Sequence, residues 1–221
     1  MIKYVFFDLD GTLIDSGMGV KNSFKYAMNQ MNRRIEDESI LDGFIGPPIN
    51  ESFSALLGDM NEDISYGVRL YREYYSKQGV YESQVYDGIP ECLERLKENG
   101  IKMCVATSKL QKAAGDILNY HKIDYFFDKI EGSPNDSRIC EKVEIINSLI
   151  QYCSIHDNDE VVMVGDRKYD LIGANNSGIR AIGVLYGYGS NEELISSKPG
   201  WIVKKPLEIV KVIENEIKAD I

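Results

Sequence analysis

The stretch Tyr4-Val5-Phe6-Phe7-Asp8-Leu9-Asp10-Gly11-Thr12 decides the fold of this chain. Its first four residues form a continuous apolar run, which is the pattern of a β-strand buried on both faces. The aspartates and the glycine that follow favour a turn, so the strand is predicted to end there. The carboxylates of Asp8 and Asp10 are therefore expected at the carboxyl end of a buried strand.

Three other apolar runs predict strands of the same kind. They cover Lys102 to Ala106, Val161 to Val164 and Ala181 to Val184. Segments whose apolar residues recur with helical spacing lie between such runs, as Leu93 and Leu96 illustrate. Because strands and helices alternate in this way, the sequence predicts an α/β fold with a doubly wound parallel sheet.

Residues 17–84 interrupt this alternation. Three stretches in which apolar residues recur with helical spacing follow one another there, with no buried strand predicted between them. We therefore predict an inserted α-helical domain over 17–84 and a catalytic core made of 1–16 and 85–221.

The composition restricts the class of protein and of partner. The 221 residues carry a formal net charge of −10 with no basic tract, which opposes binding to nucleic acid or to an anionic membrane. The sequence has no run of about 18 apolar residues and no signal-peptide pattern, so a soluble, cytoplasmic protein is expected. Four cysteines without a CxxC pair and only two histidines give little support to a zinc site or a disulfide framework. Whether the chain is a monomer or a dimer stays open.

Four separated segments place polar side chains directly after a predicted strand or early in the helix that follows one. These segments are Asp8 to Thr12, Thr107 to Lys109, Arg138 to Lys142 and Gly165 to Asp170. Active sites in open α/β sheets lie beyond the carboxyl ends of the strands, so the four segments are expected to converge.

Convergence would bring four carboxylates together, those of Asp8, Asp10, Asp166 and Asp170. Two like charges about 4 Å apart repel by about 4 kcal/mol at an effective dielectric constant of about 20, so the group needs a cation. Carboxylate oxygens without histidine or thiolate are ligands that suit Mg²⁺. The sequence therefore predicts a magnesium site.

Each segment also has an ordinary explanation. An Asp-x-Asp after a strand is common turn chemistry, Thr107 suits a helix N-cap, and Lys142 alone would be a solvated charge on a helix. The joint pattern and its order along the chain favour a site. Lys109 and Arg167 could add positive charge near the phosphate, but each is equally well explained as an exposed loop charge, and the predicted site excludes both.

Together these residues resemble the haloacid dehalogenase superfamily of phosphatases. Asp8 to Thr12 fits its DxDGT motif, Thr107 its Thr/Ser motif, Lys142 its lysine motif, and Gly165-Asp166 with Asp170 its GDxxxD motif. The helical insert is similar to the cap domain of the phosphoglycolate phosphatase-like subgroup. Three segments look most like sequences labelled 5′-nucleotidase or phosphoglycolate phosphatase: Phe44 to Pro48, Ala106 to Lys109 and Gly183 to Gly189.

The resemblance implies a Mg²⁺-dependent hydrolase of a small, soluble phosphorylated metabolite, either phosphoglycolate or a nucleoside 5′-monophosphate. Asp8 would be the nucleophile that forms an aspartyl-phosphate, and Asp10 the acid and base, with Thr107 and Lys142 completing the catalytic group. Phosphate would be held by Asp8, Leu9, Asp10, Gly11, Thr107, Ser108 and Lys142. Mg²⁺ would be held by Asp8, the carbonyl of Asp10 and Asp166, with Asp170 orienting its surroundings.

The cap would then select the substrate. The candidate residues for this selection are Lys21, Asn22, Ile45 and Gly46. Other activities within the superfamily stay open to different degrees. Asp10 argues against a dehalogenase, and a phosphonate hydrolase would need a cap amine, for which Lys21 is the obvious early candidate. A sugar phosphomutase and a catalytically silent binding module are the remaining alternatives.

Overall fold

The computed structural model describes residues 1–58, 61–134 and 141–219, without the side chains of 218 and 219. The predicted segment Arg138-Ile139-Cys140 lies outside the described residues. The contacts between Cα atoms divide the chain into two compact units: residues 1–14 with 85–221 form one, and residues 15–84 form the other. Within the described part of the chain, no helix combines the length and the apolar character needed to cross a bilayer.

The first unit is built on a six-stranded sheet, whose strands are β1 (Tyr4–Phe7), β4 (Lys102–Leu110), β5 (Lys129–Ser133), β6 (Val161–Gly165), β7 (Arg180–Val184) and β8 (Trp201–Val203). Their order across the sheet is β5-β4-β1-β6-β7-β8, and every neighbouring pair is parallel. Two short strands, β2 (Ile14–Asp15) and β3 (Gln84–Val85), pair with each other where the chain passes between the two units. The predicted α/β fold with a parallel sheet is confirmed. Strands β5 and β8 were not predicted.

Helices connect the strands of this unit. They are α4 (Ile89–Glu98), α5 (Gln111–Tyr120), α6 (Lys142–Tyr152), α7 (Lys168–Asn176), α8 (Asn191–Ser196) and α9 (Pro206–Ala219). The strand β1 is buried on both faces, as its apolar run predicts. Phe6 belongs to a cluster with Ile146 of α6 and Leu171 of α7, whereas Phe7, which points to the opposite face, packs edge-on against Phe127.

The order of the strands reverses beside β1. From β1 the chain continues to β4 and β5 on one side, and it then returns to β6 on the other side before reaching β7 and β8. Phe7 of β1 pairs with Val105 of β4 and with Val164 of β6, so these three strands reach the same level. Ligands of open α/β sheets bind at such a switch point, beyond the carboxyl ends of the strands.

The end of β4 differs from the prediction. The strand continues to Leu110 with a break in its pairing to β5 between Ala106 and Leu110, so Thr107 lies inside the strand. The interpretation of Thr107 as a helix N-cap is therefore wrong, because α5 begins at Gln111 and Leu110 precedes it. After this break, β4 pairs with β5 again at Leu110, opposite Ser133.

The second unit is helical, as the spacing of its apolar residues predicts. It contains α1 (Gly17–Gln30), α2 (Ile49–Leu57), α3 (Asn61–Lys77) and the short 3₁₀ helices Glu38–Phe44 and Gly79–Tyr81. Phe24 is at its centre, with ring centroids 5.3 Å from Phe44, 5.0 Å from Phe53 and 4.8 Å from Tyr71. This aromatic cluster gives the unit an apolar core of its own.

Candidate active site

Lys142 is the buried cation of the candidate site. It is the first residue of α6, and its ammonium donates to Asp8 Oδ1 at 2.7 Å and to the carbonyl of Ala106 at 2.9 Å. It also lies 2.8 Å from Asp170 Oδ1. Three acceptors match the three donors of an ammonium group. A Cβ atom at Gly173 would lie 2.8 Å from Cγ of Lys142, so a glycine in α7 leaves space for the lysine chain.

The carboxylates of Asp8, Asp166 and Asp170 form one group, in which one oxygen from each residue lies within 4.8 Å of the others. All three residues are buried. Asp8 follows β1, Asp166 follows β6, and Asp170 lies in the first turn of α7. The order of the strands therefore gathers residues that are 162 positions apart (8 to 170) at one edge of the sheet.

Backbone and hydroxyl donors fix two of these carboxylates. Asp166 Oδ2 accepts a hydrogen bond from the Tyr188 amide at 2.8 Å, and Asp166 Oδ1 accepts one from the Thr12 hydroxyl at 3.3 Å. Asp170 Oδ2 accepts from the Arg167 amide at 3.1 Å, which also caps the start of α7. The group is therefore held in place by donors on separate parts of the chain.

The ammonium of Lys142 does not offset the effect of burial on the carboxylates of this group. Burial raises the pKa of Asp8 to about 7, because the loss of solvation and the charge of Asp170 outweigh the attraction of Lys142. Burial, followed by repulsion from Asp170 and Asp8, also raises the pKa of Asp166 well above its usual value. The pKa of Lys142 is raised as well, since the two carboxylates outweigh the lowering effect of its burial.

The raised pKa values of Asp8 and Asp166 indicate that a further cation would stabilise this group. The donors are carboxylate oxygens close together in a buried place, and a divalent cation would stabilise their ionised forms. Such an oxygen-only donor set suits Mg²⁺, the ion that the sequence predicts. The residues present therefore fit Mg²⁺.

Asp10 has a different environment from Asp8, although only one residue separates them. Its carboxylate does not belong to the group of three, and both of its oxygens contact the ammonium of Lys109, at 3.0 Å and 2.7 Å. Lys109 therefore contacts a residue of the predicted site, and its interpretation as an exposed loop charge is wrong, because it lies in β4 with its side chain 11% exposed. No local pattern identifies it, because Lys109 lies where β4 departs from regular pairing with β5.

A glycine-rich loop after β7 packs against Asp166, and the predicted site did not include it. A Cβ atom at Gly187 would lie 2.4 Å from Cβ of Asp166, and one at Gly189 would lie 1.9 Å from its carbonyl oxygen. Gly11 also approaches Asp166 closely: it has a φ of +88°, and a Cβ there would lie 2.2 Å from Asp166 Oδ2. Side chains at these positions would displace Asp166.

The other residues of the predicted phosphate site lie in the same unit. Thr107 is buried, and its hydroxyl accepts a hydrogen bond from the Lys109 amide at 3.2 Å. Leu9 is buried, and its carbonyl accepts from the amides that follow it in the turn. Ser108 is exposed, and its carbonyl accepts from the Ser133 hydroxyl at 2.9 Å.

The predicted selection residues belong to the helical unit. Lys21 forms an ion pair with Asp42, and the Asn22 amide donates to Glu82 Oε2 at 3.0 Å. The two other candidates lie in the turn before α2. Of these, Ile45 is buried and Gly46 is exposed with a φ of +102°.

Comparisons with known proteins define the class. The model of the haloacid dehalogenase-like hydrolase family matches residues 5–184. A 5′-nucleotidase of Pseudomonas aeruginosa is 37% identical over 195 residues, which cover 88% of each protein. The tyrosine-protein kinase PtkA of Mycobacterium tuberculosis is 35% identical over 189 residues, covering 85% of this chain and 63% of that protein. A predicted phosphatase from Clostridium acetobutylicum has a solved structure that is 39% identical, with a TM-score of 0.91, covering 97% of this chain and 99% of its own.

The chain belongs to the haloacid dehalogenase-like hydrolases. The relatives and structural neighbours of the chain make it a phosphatase of that family.

Proposed function

We propose that the protein is a Mg²⁺-dependent phosphomonoester hydrolase that acts on a small, soluble phosphorylated metabolite through an aspartyl-phosphate on Asp8. One observation carries the proposal: Asp8 sits at the switch point of the sheet, bound to Lys142 and inside a buried group of three carboxylates. A carboxylate with a neighbouring cation and a metal-binding donor set is equipped to attack a phosphoryl group.

The first half of the reaction forms a bond between an Asp8 oxygen and phosphorus. The bond from phosphorus to the ester oxygen breaks, and its electron pair leaves with that oxygen. Asp10 donates a proton to this leaving oxygen, so the product departs as a neutral alcohol. In the second half, Asp10 takes a proton from water as the water oxygen attacks phosphorus. The bond from phosphorus to Asp8 then breaks, which releases inorganic phosphate and restores the carboxylate.

Lys142 and Thr107 support these steps. Lys142 holds Asp8 in one orientation and places a positive charge beside the oxygen that attacks. The Thr107 hydroxyl lies at the same edge of the sheet and is proposed to donate to a phosphate oxygen. Asp8 and Asp166, with the carbonyl of Asp10, would hold Mg²⁺, and Asp170 would orient its surroundings. The bound ion would supply positive charge between the nucleophile and the phosphate.

Two substrate classes have support. The name of the Pseudomonas aeruginosa relative favours a nucleoside 5′-monophosphate, and the resemblance of the cap and of three loop segments leaves phosphoglycolate as the other choice. Residues 17–84 are proposed to take part in this choice as the cap domain, through Lys21, Asn22, Ile45 and Gly46. The acidic composition speaks against nucleic acid as the substrate.

Phosphate release tests the proposal. The wild-type protein is expected to hydrolyse p-nitrophenyl phosphate with Mg²⁺ and to lose this activity with EDTA. Asp8→Asn is expected to abolish turnover while the protein stays folded, because the amide has nearly the same shape but cannot attack phosphorus. Asp116→Asn is the matched control, since Asp116 is an exposed partner of Lys112 on α5. Turnover that survives Asp8→Asn would contradict the nucleophile, and turnover without a metal ion would contradict the Mg²⁺ dependence.

A panel of phosphorylated metabolites, ranked by kcat/KM, then identifies the substrate. The same panel separates water from other acceptors of the phosphoryl group. Interconversion of sugar phosphates without release of phosphate would favour a phosphomutase. Transfer to tyrosine, the activity in the name of the mycobacterial relative, would show up as phosphotyrosine. Release of inorganic phosphate as the main product supports the hydrolase.

A further inference from the structure

The carboxyl end of β4 departs from regular pairing where it carries Lys109. Ala106 pairs with Glu131 of β5, but the next pair joins Leu110 to Ser133. Four residue steps on β4 (106 to 110) thus oppose two on β5 (131 to 133). Irregularities of this type redirect side chains and are common beside active sites.

Neighbouring groups brace this irregular segment. The Ser133 hydroxyl donates to the carbonyl of Ser108 at 2.9 Å, and the Gly132 amide donates to Gln111 Oε1 at 2.6 Å. A Cβ atom at Gly132 would lie 2.7 Å from the carbonyl oxygen of Lys109, so a glycine is needed on β5 at this point. The backbone of Lys109 is therefore held in a defined place.

Lys109 connects two parts of the candidate site. Its amide donates to the Thr107 hydroxyl at 3.2 Å, and its ammonium contacts both carboxylate oxygens of Asp10. The two side chains are 11% and 17% exposed, so the pair is largely shielded from solvent. An ammonium in contact with both oxygens restricts the rotation of the carboxylate about its last torsion angle.

The two aspartates of the first motif therefore have separate cations. Lys142 serves Asp8 within the group of three carboxylates, and Lys109 serves Asp10 outside that group. Acid and base catalysis requires the carboxyl group to stay within hydrogen-bond reach of the reacting oxygen. A cation that fixes the carboxylate of Asp10 meets this requirement before the substrate arrives.

We propose that Lys109 is a positioning residue that holds the carboxylate of Asp10 in the orientation needed to exchange protons with the leaving group and with water. The inference rests on the proposed function, since it presupposes that Asp10 is the acid and base. It adds a residue outside the predicted site, and it assigns that residue an action through Asp10 instead of through the phosphate.

Leaving groups of different basicity test this inference. Phenyl phosphate expels a more basic leaving group than p-nitrophenyl phosphate does, so its hydrolysis depends more on proton donation by Asp10. Lys109→Met is expected to lower kcat/KM for phenyl phosphate about tenfold more than for p-nitrophenyl phosphate. Lys109→Arg, which can also contact both oxygens, is expected to restore most of the difference. Lys112→Met, which removes an exposed lysine of α5, is the matched control and is expected to change neither rate.

Two other roles of Lys109 give different results, and either result would overturn the inference. If Lys109 bound the phosphate directly, KM would rise by the same factor for both substrates. If Lys109 only stabilised the fold, both rates would fall together with the unfolding temperature. If Lys109→Met fails to fold, the comparison of Lys109→Gln with Lys109→Arg measures the same difference.

A double-mutant cycle with Asp10→Asn is the second test. If Lys109 acts through Asp10, adding Lys109→Met to Asp10→Asn is expected to change kcat/KM for phenyl phosphate by less than about twofold. Additive losses would contradict the inference. The Asp8→Asn variant distinguishes a failure of this inference from a failure of the proposed function. If only the role of Lys109 is wrong, Asp8→Asn still abolishes turnover. If the proposed function is wrong, turnover survives Asp8→Asn.

Discussion

At the carboxyl edge of the sheet the charged residues are buried and bind one another, whereas in residues 15–84 the corresponding pairs lie in solvent. The side chains of Lys142 and Asp8 are 5% and 11% exposed, but those of Lys21 and Asp42 are 36% and 65% exposed. Removal of one partner of a buried pair leaves a charge without a partner, which costs about 3–5 kcal/mol, while an exposed pair contributes about 0–1 kcal/mol. The sheet edge therefore holds the charged residues of the candidate site in place, whereas the exposed ion pairs of the helical unit can vary at little cost in stability.

The largest effect on stability is expected from Lys142→Met. The substitution leaves Asp8 and Asp170 without their shared cation, so the free energy of unfolding in metal-free buffer at pH 8 should fall by about 3 kcal/mol. Mg²⁺ should restore part of this loss, because it returns positive charge to the same carboxylates. Urea denaturation with and without Mg²⁺ measures both effects. Lys112→Met is the exposed control, with an expected loss below about 0.5 kcal/mol. Equal losses for the two variants would contradict the larger contribution of the buried ion pairs to stability.

Alanine at Gly11 and at Gly43 compares the two regions with one and the same substitution. At Gly11 the new Cβ would lie 2.2 Å from Asp166 Oδ2 at a φ of +88°, whereas at Gly43 no heavy atom lies within 4 Å. Gly11→Ala is expected to lower the free energy of unfolding by about 2 kcal/mol and to weaken Mg²⁺ binding. Gly43→Ala should change it by less than about 0.5 kcal/mol. Thermal unfolding and a metal titration give the answer, and a Gly11→Ala protein with normal metal affinity would argue against the packing described for Asp166.

Stabilisation by Mg²⁺ is expected to depend on pH. The pKa of Asp8 is raised from 3.8 to about 7, so the metal-free folded protein holds a proton there that the unfolded chain releases. The contribution of this group to stability is therefore lost as the pH rises from about 4 to about 7. Because Mg²⁺ binds the ionised form, it should raise the unfolding temperature more at pH 8 than at pH 5.5. Thermal unfolding at the two pH values measures the shift, and at 100 times its Kd a ligand stabilises by about 2.7 kcal/mol. Asp166→Asn should reduce the rise in unfolding temperature that Mg²⁺ causes. An equal rise at both pH values would contradict binding of Mg²⁺ to the ionised carboxylates.

The smallest effect on stability is expected from Lys21→Met in the helical unit. Its pair with Asp42 is exposed, so the free energy of unfolding should change by less than about 0.5 kcal/mol. If Lys21 takes part in substrate choice, the ratio of kcat/KM between two metabolites should change instead. Lys25→Met is a closely matched control, because the pair of Lys25 with Glu38 has almost the same exposure. Equal ratios in the two variants would remove Lys21 from the selection residues.

The strands and helices differ in how well the sequence predicts them. The buried strands β1, β6 and β7 carry their signal locally, because a strand covered on both faces must be apolar throughout. Strand β5 was missed because most of its residues are only partly buried and its sequence, Lys-Ile-Glu-Gly-Ser, has no apolar run. The helices of residues 17–84 were predicted because each has an apolar face directed to the core of that unit.

The site was predicted to the extent that its residues stand in recognisable motifs. Lys142 has no local signal, and only its order among the motifs identified it. Lys109 was missed because its role depends on the irregular end of β4, which is fixed by contacts with β5. The loop with Gly187 and Gly189 was missed for a similar reason, since the distance from a glycine to Asp166 is a property of the folded chain.

Trapping the covalent intermediate shows directly whether Asp8 is the nucleophile. The protein is mixed with Mg²⁺ and substrate and quenched in acid, and borohydride then reduces any acyl phosphate to an alcohol. Mass spectrometry of the peptides locates the modified residue. We expect the peptide containing Asp8 to carry homoserine at position 8, and this product to be absent from Asp8→Asn. Homoserine at another aspartate, or an unmodified Asp8 in a protein that is turning over substrate, would contradict the assignment of Asp8 as the nucleophile.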